Sequence, residues 1–173
     1  MFTKISDRLK ERASKIKLIG FDVDGVLTDG SLYFDEKGEA LKRFYALDGL
    51  GMRLALKFDL IPAIVSARKS SYVTARFTDL GLDEIHIGIE DKFSKIQELA
   101  DKYKLEMDEI AFIGDDSIDV PVLEKVGLAA CPQDQHYSVL KHIHYITERP
   151  GGQGAAREFV DLILVAQGKI PAE

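Results

Sequence analysis

The sequence predicts an α/β fold, a Rossmann-like, mainly parallel sheet flanked by helices and formed by one domain spanning residues 1–173. Three observations carry this. Short apolar runs recur at 18–21, 61–65, 85–87, 110–113 and 128–130. Longer amphipathic stretches separate them, near 48–59, 70–80, 91–104 and 118–125, with a last one near 153–167. Short buried strands alternating with helices are the pattern of βαβ units and a parallel sheet. Finally, 173 residues with 46% hydrophobic content suit one core, and no linker, repeat or low-complexity tract divides them.

Taken in order, the chain opens on a helix whose basic residues Lys4, Arg8, Lys10, Arg12, Lys15 and Lys17 are interrupted by Asp7 and Glu11. That spacing suits a solvated helix face. The first strand, 18–21, is wholly apolar, as expected of a strand covered on both sides. Residues 31–45 then break the alternation: two β-prone runs around Asp35-Glu36-Lys37-Gly38-Glu39 predict a β-hairpin inserted after the first strand. It carries Leu32, Phe34, Leu41, Phe44 and Tyr45, and an isolated hairpin is marginal in water. It must therefore fold back on its own domain or pair with a neighbouring subunit. The remaining strands and helices come in regular alternation, with a C-terminal tail from about 150 to 173.

Composition excludes several classes. The single cysteine, Cys131, rules out a disulfide framework and reads as a buried small residue. A net charge of −6 argues against nucleic acid as the partner. No apolar run approaches the ~20 residues needed to span a bilayer, so no membrane insertion is expected. Charged residues stand where a signal peptide needs an apolar segment, so a cytoplasmic location is expected.

Chemistry concentrates at the carboxyl ends of the strands, where open α/β sheets bind ligands. The first strand runs into Asp22-Val23-Asp24-Gly25. Residues two apart share a side, so Asp22 and Asp24 can face one pocket. The run 110–113 leads through Gly114 to Asp115, Asp116 and Asp119. Two neighbouring strands tipped with acids make a hard oxygen cage of the kind that suits Mg²⁺. Ser66 closes the run 61–65, and Lys92 opens the helical stretch after 85–87. Aspartates, a hydroxyl and an ammonium at one sheet edge are what phosphoryl transfer through an aspartyl intermediate requires. A phospho-accepting receiver domain shares acids, a hydroxyl and a lysine but lacks an acid two residues beyond the acceptor. Asp24 therefore favours turnover over storage. A non-catalytic interaction module on the same fold would betray itself by loss of Asp22 or Asp24, and both are present.

These residues resemble the four motifs of the haloacid dehalogenase superfamily of phosphatases. The stretch 22–28 looks like the first, Ser66 the second, Lys92 the third, and Gly114-Asp115-Asp116 with Asp119 the fourth. The resemblance implies Asp22 as nucleophile, and Asp24 as general acid and base whose backbone carbonyl faces the metal. It implies that Ser66 holds a phosphoryl oxygen, Lys92 neutralises charge and Asp115 binds Mg²⁺, with Asp116 and Asp119 in support. Too few residues separate Asp24 from Ser66, or Ser66 from Lys92, to hold the cap domain that most members carry. The resemblance is nearest to capless members that act on sugar-acid phosphates, an octulosonate phosphate first and a nonulosonate phosphate as the alternative. It implies Asp48, Gly49, Arg53, Arg68, Arg76 and Lys92 around the substrate, assembly as a homo-oligomer (a tetramer) through the hairpins, and a C-terminal tail reaching a neighbour's site. Ala67 departs from the glycine usual after the second-motif hydroxyl. His142 and His144 are expected to flank a short strand at 143–146 rather than to bind zinc. The glycines at 151, 152 and 154 fit either an anion cradle or a hinge.

Overall fold

The computed structural model describes residues 5–172. Lys4, counted above on the basic helix face, lies outside them. The first helix, α1 (Asp7–Ser14), starts where the Ser6 side chain accepts from Leu9 N–H at 3.3 Å. It leads into β1 (Leu18–Phe21), which is buried along its whole length. There follow β2 (Tyr33–Asp35) and β3 (Gly38–Leu41), α2 (Ala46–Lys57), β4 (Ile61–Ser66) and α3 (Ser71–Asp79). The chain continues through β5 (Glu84–Ile87), α4 (Lys92–Tyr103), β6 (Ile110–Ile113) and the short α5 (Val120–Leu123). It ends with β7 (Leu128–Cys131), β8 (Tyr145–Ile146) and α6 (Ala155–Ala166).

Six strands form one sheet in the order β5-β4-β1-β6-β7-β8, every pairing parallel. The α/β fold with a parallel sheet and flanking helices is therefore as the alternation predicts. Period-2 alternation divides the side chains between two cores. Ile19, Phe21, Ile64, Ala111 and Ile113 face the layer formed by α1, α2, α3 and α6. Leu18, Ala63, Val65, Ile110 and Phe112 face α4 and α5. A Cβ at Gly20 would lie 2.5 Å from the Phe112 ring and 3.0 Å from Ile96, so glycine there is what lets α4 and the Phe112 ring close on the central strand.

The hairpin forms within the expected 31–45 segment, as a separate two-stranded sheet. Asp35 accepts from Lys37 N–H at 2.8 Å, and Gly38 comes next at φ 120°, a conformation costly for any side chain. Phe34 is 59% exposed, and Leu32, Tyr33 and Leu41 are exposed beside it.

At the C-terminus the amphipathic stretch expected near 153–167 is α6, which buries Phe159, Val160, Leu162, Ile163 and Leu164 and packs on α2 within the same core. An amphipathic helix turns its apolar face to the core, and here Arg157 and Asp161 lie on the opposite stripe. The loop before it is tied down as well. Gly152 N–H donates to Val26 O at 2.9 Å, and a Cβ on Gly151 would strike Gly25 O at 1.8 Å. The glycines at 151 and 152 serve this close approach of two backbones. The short strand near 143–146 is β8, at the sheet edge. His144 Nδ1 accepts from Ala129 N–H at 3.0 Å, and His142 lies 2.9 Å from Glu124.

Candidate active site

Strands β1 and β6 run side by side with Phe21 opposite Ile113, so the residues just beyond them emerge together at the carboxyl edge. Asp22 N–H extends the ladder by donating to Ile113 O at 3.1 Å. Two glycines make room for the acidic loops beyond the strand ends. Gly25 stands at φ 91°, and a Cβ there would fall 2.1 Å from Asp115 Oδ2. A Cβ at Gly114 would fall 2.5 Å from Asp119 Cγ.

Lys92 opens α4, whose start is capped by the Asp91 carboxylate on Ser94 N–H at 3.0 Å. Its side chain is 1% exposed and lies between two carboxylates, 2.7 Å from Asp22 Oδ1 and 2.6 Å from Asp119 Oδ1. Asp119 is saturated, because its other oxygen accepts from Asp115 N–H at 3.0 Å and Asp116 N–H at 3.3 Å. Its work is to hold the lysine and the loop carrying Asp115.

Oxygens of Asp22, Asp115 and Asp119 all come within 4.8 Å of one another, against the single cation Lys92. Burial, and then the Asp119 charge, push the Asp22 carboxyl up to about 6 in spite of Lys92. Burial, and then Asp22 and Asp119, push Asp115 up to about 8. Lys92 is drawn down by burial, but Asp22 and Asp119 outweigh this and leave it above the ordinary ammonium value. The cluster thus carries more negative charge than Lys92 balances. With Asp119 engaged, Asp22 and Asp115 are the oxygens turned to the cleft. This donor set fits a hard divalent cation.

The cleft above them has a volume of about 390 Å³ and is lined by Asp22, Asp24, Ser66, Arg68, Asp115 and Asp116. Ser66 ends β4 and is buried; Asp116, by contrast, is exposed. Asp24 accepts from Arg68 Nε at 3.0 Å and from Lys42 Nζ, just beyond β3. Sequence reasoning passed over Lys42. The signal was there, in a cation placed where a hairpin inserted at a strand end must return over that end, but the hairpin's apolar residues drew the reading instead.

Four of the expected substrate residues lie outside this cleft. Asp48 is buried, and its two oxygens accept from Gly154 N–H at 3.2 Å and Arg157 N–H at 2.9 Å, so it caps α6 from α2. Gly49 is a packing glycine, where a Cβ would meet Arg76 Nη2 at 2.6 Å. Arg76 lies 3.9 Å from Asp79 on α3, and Arg53 is exposed on α2. Cys131 is buried beneath the site, and burial pushes its thiol up to about 12, which leaves it inert as a nucleophile.

A four-motif aspartate, hydroxyl and lysine site at the end of a parallel sheet defines a class, and comparison with known proteins agrees. The profile of the haloacid dehalogenase-like hydrolases matches residues 64–159. The chain belongs to that family, and it is a phosphatase. Within the family it resembles one particular group. It is 42% identical over 159 residues to the 3-deoxy-D-manno-octulosonate 8-phosphate phosphatase of Escherichia coli K12, covering 92% of this chain and 85% of that protein. The crystal structure of 3-deoxy-D-manno-octulosonate 8-phosphate phosphatase from Yersinia pestis superposes with a TM-score of 0.94 at 39% identity, over 97% of this chain and 91% of that one. The Moraxella catarrhalis enzyme of the same name, in complex with magnesium, phosphate and a KDO molecule, gives a TM-score of 0.91 at 34% identity, over 95% and 94% of the two chains.

Proposed function

We propose that the protein hydrolyses 3-deoxy-D-manno-octulosonate 8-phosphate to the free sugar acid and inorganic phosphate, by way of an aspartyl-phosphate on Asp22 and with Mg²⁺ in the cleft. The observation that carries the chemistry is the buried Lys92, held between Asp22 and Asp119 next to Asp115. The substrate assignment is supported by relatives 34–42% identical over most of the chain that bear this activity in their names.

In this reading an Asp22 oxygen attacks phosphorus while Lys92 fixes the attacking carboxylate and screens the repulsion between two anions. Ser66, at the end of β4, donates to a phosphoryl oxygen. Asp24 gives its proton to the departing sugar oxygen, then takes one from the water that cleaves the aspartyl-phosphate. Asp22 and Asp115, together with the Asp24 carbonyl, would hold Mg²⁺, with Asp116 in support; the ion supplies charge neutralisation for the transferring phosphoryl group. Arg68, at the cleft, is suited to the substrate's carboxylate.

Without a cap the cleft is open, and the exposed apolar hairpin is the surface suited to covering it by assembly, as a homo-oligomer and specifically a tetramer. The protein is assigned to the cytoplasm and to lipopolysaccharide-sugar biosynthesis. No helix among the described residues is long and apolar enough to cross a membrane. The test is phosphate release from octulosonate, nonulosonate and hexose phosphates, with Mg²⁺ and after chelation. The octulosonate should show the highest kcat/KM and lose it with chelator. Equal kcat/KM across the panel, or activity indifferent to chelation, overturns the reading.

A further inference from the structure

Lys42 is a buried cation that the chemistry above leaves without a task. Its side chain is 2% exposed, although a lysine free to choose extends its ammonium into water. It contacts Asp24 Oδ1 directly and lies 3.3 Å from Glu39 Oε1. Glu39 in turn accepts from Ser70 Oγ at 2.5 Å, and Tyr72 O–H donates to Ala40 O at 2.7 Å. Two hydrogen bonds thus tie the hairpin strand β3 to the start of α3, and the strand delivers Lys42 to Asp24. The opposite oxygen of Asp24 meets Arg68, which is 41% exposed and correspondingly screened. Of the two cations on Asp24, the one sealed from water comes from the hairpin.

Resting on the reading of Asp24 as acid and base, we propose that Lys42 is a positioning residue for Asp24. It holds the Asp24 carboxylate in place for the second half of the reaction, hydrolysis of the aspartyl-phosphate. In the first half the bond from Asp22 to phosphorus forms, the bond to the leaving oxygen breaks, and Asp24 gives up its proton. Asp24 is then anionic, which is the form that an ammonium and a guanidinium hold best. In the second half water oxygen bonds to phosphorus, the bond from Asp22 breaks, and the proton of water passes to Asp24. A carboxylate left free to swing loses the water's geometry. The hairpin is thereby part of the catalytic apparatus as well as an exposed surface.

The experiment uses p-nitrophenyl phosphate, whose leaving group needs no proton, so that Asp24 matters only in the second half. Lys42→Met should lower kcat by about 10- to 100-fold, a share of what acid–base catalysis supplies. KM should fall in parallel, with kcat/KM within about threefold of wild type, because kcat/KM reports only the first half. Rapid mixing should show a burst of p-nitrophenolate equal to the enzyme concentration, with phosphoenzyme trapped on acid quench. Asp24→Asn serves as the reference and should show the same burst. A burst in Asp24→Asn but none in Lys42→Met overturns the role of Lys42 alone; no burst in either overturns the reading of Asp24. A raised KM at unchanged kcat makes Lys42 a substrate contact and overturns the proposal. Should Lys42→Met fail to fold, Lys42→Ala, which removes the donor and leaves room for water, replaces it and is held to the same burst.

Discussion

Replacing Asp48 with alanine separates two roles for a residue that the family resemblance sets at the substrate and whose carboxylate lies under α6. The carboxylate accepts from Arg157 N–H at 2.9 Å and Gly154 N–H at 3.2 Å. Truncation orphans two donors at a helix start, at about 1–3 kcal/mol for each buried group left unpaired. Part of this is returned, because burial, working against those same backbone donors, raises the Asp48 carboxyl from 3.8 to about 6. Its ionised form therefore costs the fold about 3 kcal/mol at neutral pH. The balance is a net loss of about 1 kcal/mol, the typical contribution of a helix cap. For a chain of this size that lowers Tm by about 2–4 °C. Since the folded value lies above the unfolded one, wild type loses stability as pH rises through about 6, and Asp48→Ala does not. The gap in Tm should be wider at pH 5 than at pH 7.5. Thermal melts by circular dichroism at the two pH values, with kcat and KM on the same samples, make the measurement. An unchanged Tm with a raised KM would refute the capping argument and return Asp48 to the substrate.

Asp22→Asn should abolish turnover while leaving the melting temperature within a few degrees, because the amide keeps the shape but cannot attack phosphorus; residual activity within about tenfold of wild type, only ~1.4 kcal/mol of barrier, would remove Asp22 as nucleophile. Glu84 is buried, which opposes its ionisation, but hydrogen bonds from Lys102, Tyr103 and His86 outweigh this and hold its carboxyl down at about 2. Its stabilisation is therefore present above about 4.5 and lost as pH falls toward 2. The Tm gap between wild type and Glu84→Gln should shrink between pH 6 and pH 3, and a constant gap contradicts the assignment. Charged residues at Phe34 and Leu41 together should give a smaller species by light scattering with an unchanged far-ultraviolet spectrum; wild type found to be a fully active monomer would end the shared-site idea.

What the sequence determined by itself is what obeys local rules. Short apolar runs located β1, β4, β6 and β7 almost to the residue, since a strand covered on both faces has no choice but an apolar run. The same rule made Asp22, Asp24, Ser66, Lys92 and Asp115 legible as a group, because parallel strands deliver their carboxyl ends to one edge. Tertiary structure alone decided the partners of charged groups that lie far apart in sequence. Asp48 showed no capping role until α6 was seen to begin 106 residues later, against its carboxylate. The helix expected near 153–167 was placed by packing alone, which sets α6 against α2. Lys42 was one cation among many until the hairpin laid it on Asp24. Periodicity records which side of an element is buried; it holds no record of which distant charge will be met there, because that choice is made by the packing of whole elements.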